Sequence, residues 1–172
     1  MSWSRRSLLI ALGAAPLGGC GFHPLYGGRL AGDYDPDLAA IKVAPIPDRQ
    51  GQILAMELGE KLNPRGVDTK VLYILNVRLS VAQNNLGIQR DATSTRGEVD
   101  ARADFELRPV SALGQTAYTG RSRAVSSFNV LTDGYATMVA ADDARDRALK
   151  DLAEDILVKL QLYVKRQREA SG

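Results

Sequence analysis

The sequence predicts an α/β fold, an α+β sandwich. It would hold a four-stranded mixed sheet with two helices on one face, in the order β-α-β-β-β-α. Three observations predict it. Two stretches, 71–83 and 97–108, alternate apolar and polar residues with period two, the mark of a strand with one buried face. Two others repeat apolar residues at spacings of three, four and seven, the stripe of a helix packed on one side. Proline, glycine and aspartate fall between these stretches, where a chain turns.

The elements follow in order. Residues 21–40 form a leader interrupted by Pro24, Gly27, Gly28, Gly32 and Pro36, which reads as a tether or an irregular strip against the domain. Ile41, Lys42, Val43 and Ala44 make a short strand, closed by Pro45 and Pro47. Asp48 is the expected N-cap of a helix of about fifteen residues carrying Ile53, Leu54, Leu58 and Leu62, with Met56 at its flank. Pro64 and Gly66 end it. In the next strand Tyr73, Leu75, Val77, Leu79 and Val81 point one way, and Asn76, Arg78 and Ser80 the other. After it, Val99, Ala101, Ala103, Phe105 and Leu107 face in, while Asp100, Arg102, Asp104, Glu106 and Arg108 face out. Mixed charges on an outer face predict cross-strand pairing and solubility. Residues 84–96 between these strands read as a long polar loop with Leu86, Ile88, Arg90 and Arg96, and long hairpin loops often carry function. A turn at 111–114 leads to a fourth strand, 116–129, whose Gly120, Arg121 and Arg123 suit an edge. After Asp133 and Gly134 a long helix begins between residues 136 and 143 and runs to about 166. Ala148, Leu149, Leu152, Ile156, Leu160 and Tyr163 form its stripe. Asp142 and Asp143 would sit in its first turn, and Lys165, Arg166 and Arg168 in its last. The first β-α-β would be a parallel crossover, and the next two connections antiparallel hairpins.

The N-terminus reads differently. Arg5 and Arg6 precede a largely apolar run over 8–17, of signal-peptide length and too short to span a bilayer. Gly18 and Gly19 come next, then Cys20, the one cysteine of the chain. Leu17-Gly18-Gly19-Cys20 fits a bacterial lipobox. The expected thioether carries a diacylglycerol, and cleavage frees the Cys20 amine for a further acyl chain. Two or three chains anchor stably where one is marginal. The paired arginines also hint at a twin-arginine signal. The expected organisation is therefore 1–19 signal peptide, 20–40 lipidated tether and 41–168 folded domain.

Composition narrows the chemistry. Without residues 1–19 the chain keeps 153 residues, with 20 basic against 20 acidic side chains. It is long enough for one domain with a core, and its balance of charge implies no nucleic-acid partner. A lipidated Cys20 leaves no thiol, and His23 is the only histidine. No catalytic triad, metal site or phosphate loop can be assembled. Asp142, Asp143 and Asp146 alternate with Arg145 and Arg147, as at a solvated helix start. No cofactor is expected beyond the covalent diacylglycerol and acyl chains on Cys20, and no enzyme activity.

Cys20-Gly21-Phe22-His23-Pro24-Leu25-Tyr26-Gly27 resembles the start of mature LPS-assembly lipoproteins, the LptE family, in its alphaproteobacterial form. The predicted element order is similar to that family's fold. The resemblance implies a lipoprotein on the periplasmic side of the outer membrane. Such a protein plugs the LptD β-barrel and assists lipopolysaccharide assembly and transport to the cell surface. Gly21 in place of aspartate agrees with outer-membrane sorting. The resemblance also implies one lipopolysaccharide-binding basic residue in the hairpin, Arg90 or then Arg96. A second basic residue, near the start of the last helix, has no counterpart in residues 136–144. The outward charges of the sheet would suit a polar barrel lumen. The alternative reading is an auxiliary lipoprotein of an ABC-type transport system, and a lipid-anchored hydrolase is the least favoured.

Overall fold

The computed structural model describes residues 35–88, 94–112 and 114–171. Cys20, the leader up to residue 34 and Arg90 lie outside the described residues. The elements are α1 (Pro36–Ala39), β1 (Ile41–Val43), α2 (Asp48–Leu62), β2 (Tyr73–Ile88), β3 (Ser94–Pro109), a 3-10 turn (Val110–Ala112), β4 (Tyr118–Asn129) and α3 (Gly134–Ser171). The sheet order is β1-β2-β3-β4. β1 is parallel to β2, and the other pairs are antiparallel. The four-stranded mixed sheet with its helices matches the expected fold, with one short helix added.

That addition has a local cause. Proline is tolerated in the first turn of a helix, where its missing N–H is not needed. Pro36 sits there, and the Asp35 carboxylate accepts from Asp37 N–H at 3.0 Å. Leu38, Ala39 and Ala40 are buried, so packing on the domain starts before Ile41. Arg168, near the end of α3, donates to Asp35 at 2.5 Å and to Asp37 at 2.6 Å. The place where the leader joins the domain is thereby tied to the C-terminal turns of α3.

The core lies between the sheet and the two longer helices. Leu54, Leu58 and Leu62 of α2 meet Leu149, Leu152, Ile156 and Leu160 of α3 over Leu75, Val99, Phe105 and Leu107 of the sheet, all nearly or fully buried. Met56 is exposed, at the flank where the stripe placed it. Tyr163 is half-buried and stacks on Tyr118, with ring centroids 5.1 Å apart.

Three sequence expectations are corrected. Asp48 is the first residue of α2 and Pro47 stands at the cap, with no side-chain cap bond. The segment 84–96 is mostly strand: β2 runs on to Ile88 and β3 starts at Ser94, with Asn85 opposite Gly97 and Leu86 opposite Arg96. Polar composition hid this, because the ladder is continued by backbone bonds that need no apolar face. The third concerns α3, which starts at Gly134. Its N-terminal N–H groups are met by Asp133, whose carboxylate accepts from Tyr135 and Ala136 at 2.8 and 3.4 Å. Asp142 and Asp143 lie further along and pair on the surface with Arg145 and Arg147. At about 1.5 Å per residue, the 38 residues of α3 span about 57 Å.

Two glycines set the contact between strands β3 and β4. Gly120 lies opposite Phe105, and Gly97 opposite Phe128. A Cβ on Gly120 would stand 2.3 Å from Cζ of Phe105, and one on Gly97 2.2 Å from Cζ of Phe128. Each ring lies over its glycine, which a side chain would prevent.

Candidate functional site

Alternation along β2, β3 and β4 sends one set of side chains under the helices and the other onto the open face. On β3 the outward set includes Asp100, Arg102, Asp104, Glu106 and Arg108, as the sequence indicates. Register brings Arg78 of β2 opposite Asp104. On β4 it sets Arg121 opposite Asp104 and Arg123 opposite Arg102. The rows from Asp100 to Arg108 therefore gather five arginines around three carboxylates.

Asp100 anchors this face. Arg102 forks onto it with bonds of 3.2 and 2.6 Å, and Arg123 with two of 3.0 Å. Two like charges that stand directly opposite are held by one carboxylate, which is only 7 % exposed. Hydrogen bonds from Arg123 and then Arg102 hold the Asp100 carboxyl well below the usual range, against the opposing effect of burial. The same bonds raise both guanidinium pKa values. Arg121 pairs with Asp104 at 2.8 Å, and Glu106 takes Arg108 at 2.6 Å and Arg78 at 3.7 Å. Arg121–Asp104 and Arg78–Glu106 are cross-strand pairs of the expected kind, while Arg108–Glu106 lies within β3. Arg121 and Arg78 keep 90 % and 85 % of their side chains exposed, so most of their donors face outward. Between them runs an open groove of about 810 Å³, floored by the sheet and lined by Asn76, Arg78, Asp104, Glu106, Arg108, Thr119 and Arg121 among others.

The Asp100 cluster makes a pH prediction. A carboxylate with a depressed folded pKa contributes stability that is fully present above its unfolded value, about 3.9. That contribution is lost as the pH falls toward the folded value. Urea unfolding of the wild type and Asp100→Asn should therefore show the wild type more stable at pH 6. The gap should narrow progressively as the pH falls below about 4. A gap constant from pH 6 to pH 2.5 would refute this account of the cluster.

The helix side offers different chemistry. Lys159 of α3 donates to the backbone carbonyl of Arg121, to Ser122 Oγ at 3.1 Å and to Asp155 at 2.6 Å. Burial raises the Asp155 pKa, but bonds from Lys159 and Ser122 outweigh it and the net shift is downward. At the start of α3, Tyr135, Met138 and Val139 are 71 %, 54 % and 48 % exposed. Their spacing of three and four puts them on one side of the helix.

Of the site residues expected from sequence, Arg96 lies on β3, exposed, opposite Leu86 and Asn129. Cys20 and Arg90 fall outside the described residues. Among the described residues, no group of three or more histidine, cysteine, aspartate or glutamate side chains is placed to hold a metal, and no helix is long and apolar enough to cross a membrane. Sequence reasoning missed the contribution of β4. Arg121 and Arg123 were visible as edge-strand charges, but only register places them against Asp104 and Asp100.

No family model and no curated protein matches the chain by sequence. Solved structures do match in fold. The chain is similar to a "putative lipoprotein" from Caulobacter crescentus CB15, with a TM-score of 0.60 and 22 % identity over 74 % of this chain and 92 % of that one. It is also similar to the rare lipoprotein B from Shewanella oneidensis, with a TM-score of 0.53 and 10 % identity over 75 % of this chain and 96 % of that one. At these identities the likeness is one of fold.

Proposed function

We propose that this protein is an outer-membrane lipoprotein of the LptE type, which occupies the lumen of an LptD-type β-barrel and assists lipopolysaccharide assembly. The observation that carries the reading is the open face of the sheet. It is a continuous array of arginines and carboxylates beside a shallow groove, rich in donors and acceptors and poor in apolar surface. Such a face is too polar for a dry obligate interface and suits the polar, wet wall of a barrel interior. Three further points support the reading: the lipobox ending at Cys20, the sequence that follows it, and the shared fold with two proteins whose names call them lipoproteins. The protein is not an enzyme in this reading and acts by contact.

Lipopolysaccharide is the second proposed partner, an anionic amphiphile that needs both cationic and apolar contacts. Arg90 and Arg96 are the proposed cationic contacts, since guanidinium pairs bidentately with phosphate. The exposed Tyr135, Met138 and Val139 suit the acyl portion. Depletion of the protein tests the whole reading: the barrel should misassemble and the outer membrane should become permeable to bulky antibiotics. Complementation with Arg90→Glu plus Arg96→Glu should restore barrel assembly while lipopolysaccharide binding by the purified variant weakens at low salt. Normal barrel assembly after depletion would contradict the first part, and unchanged binding by the variant the second. The auxiliary lipoprotein of an ABC-type transporter is the alternative, and no feature of the open face favours it.

A further inference from the structure

The sheet has two edges, and they are treated differently. Along a strand, successive residues turn their N–H and C=O groups to opposite sides. On β4, Arg121 O accepts from Lys159 and Ser127 O from Arg147 at 3.3 Å. These are outer-edge carbonyls, and long cationic side chains from α3 cover them. Charged side chains and a covering helix are the usual means of closing an edge to other strands.

Among the described residues, the outer edge of β2 lacks that protection. Tyr73 N–H donates to Ala40 O at 3.2 Å, and Leu75 O accepts from Ala44 N–H at 2.9 Å. The odd-numbered residues of β2 therefore turn their backbone groups toward β1. But β1 ends at Val43, opposite Leu75, and Pro45 and Pro47 stop it from continuing as a strand. Beyond that point Val77, Leu79, Val81 and Gln83 present N–H and C=O groups with no strand opposite them among the described residues. The register with β3 runs unbroken through this stretch, so no bulge turns the edge away. It carries no proline and no lysine, and Arg78 is its one charged residue between 76 and 84. Leu79 and Val81 are only half-buried on the helix side, because α3 lies over β3 and β4, and α2 over β1. At the far end Arg145 reaches the side chain of Gln83 at 3.1 Å.

We propose that the outer edge of β2 over residues 77–83 is a strand-acceptor site that binds an extended segment of a partner protein as an added strand. The unpaired groups recur every second residue, about 6.6–6.8 Å apart. A β-strand matches that repeat with alternating donors and acceptors, and an acyl chain or a saccharide does not. The two faces of the edge fix the side chains. Apolar residues of the guest cover Leu79 and Val81, and polar residues lie on the open face. Arg78 there, 85 % exposed with Glu106 at 3.7 Å, selects a carboxylate. The occupant is thus a segment of alternating apolar and polar residues with an acid on its polar side. This goes beyond the barrel reading and does not rest on it.

The test uses the purified full chain and a capped peptide of sequence Thr-Val-Glu-Val-Thr-Val-Thr, with amide hydrogen exchange read by NMR. At millimolar peptide the amides of Val77, Leu79, Val81 and Gln83 should slow by about tenfold or more. Those of Asn76, Arg78 and Ser80, which already pair with β3, should not change. The same peptide N-methylated at its valines should have no effect. Arg78→Glu should weaken protection by this peptide and strengthen it for one with lysine in place of glutamate. Absent protection at the four amides, or equal protection by the methylated peptide, would overturn the proposal. Protection that grows with protein concentration alone would assign the edge to a second copy of the chain and overturn it too.

Discussion

Phe105→Ala should destabilise the domain by about 3–5 kcal/mol, the usual cost of deleting a buried phenylalanine ring. Phe105 is 1 % exposed at the centre of β3, 6.0 Å from the Tyr118 ring and over the backbone of Gly120. Removing it leaves a cavity walled by strands and helices that are already packed, so little can collapse into the gap. Gly120→Ala alone should cost about 1–3 kcal/mol by overpacking, since the new methyl would stand 2.3 Å from the ring. The double variant separates these effects. With the ring gone, the methyl added at position 120 enters space that is empty, so the double variant should be more stable than the sum of the singles predicts. Urea midpoints of the four proteins measure this. Additivity within about 0.5 kcal/mol would show that ring and glycine do not depend on each other.

Cys20→Ala should abolish lipid attachment and block the cleavage that precedes position 20, so the variant should keep residues 1–19 and carry no acyl chain. The proposed anchor consists of acyl chains worth about 0.8 kcal/mol per buried methylene, and two or more chains hold where one exchanges. Among the described residues no helix is long and apolar enough to cross a membrane. Stability of the domain itself should not change, because its core starts at Leu38 and is built from later elements. Cell fractionation with mass spectrometry of the mature N-terminus checks the claim. An unmodified mature N-terminus in the wild type, or a variant cleaved before position 20 as the wild type is, would remove the anchor from the account. The effect on partner binding would follow, because an anchor confines the domain to the membrane plane and raises its effective concentration there.

Strands β2 and β3 and both long helices were legible because burial imposes period two or the helical stripe on their sequence. Each inward residue expected on β3, from Val99 to Leu107, is buried. Element ends were less legible. Asp133 and Asp142 are the same residue type near the same helix, and only the hydrogen bonds of Asp133 to Tyr135 and Ala136 show which one caps it. The outer part of the β2–β3 hairpin carries Asn84, Asn85 and Gly87, residues with poor strand propensity, and they masked the alternation of Leu86 and Ile88. The charged face was half visible. Alternation gave the β3 charges, but Arg123 could be matched to Asp100 only through register. The close packing at Gly97 and Gly120 was not legible either, because the rings that lie over them are 31 and 15 residues away in the sequence.

The central claim is that the charged open face of the sheet sits in the lumen of an outer-membrane barrel. Purification of the native protein in mild detergent, followed by mass spectrometry of what accompanies it, tests this most directly. The account predicts one β-barrel protein at near-equal amount, retained by wild type and lost when Arg78, Arg102 and Arg121 are replaced together by glutamate. Recovery of a transporter ATPase at near-equal amount with no barrel would contradict it and would replace the barrel with the ABC-type transport system.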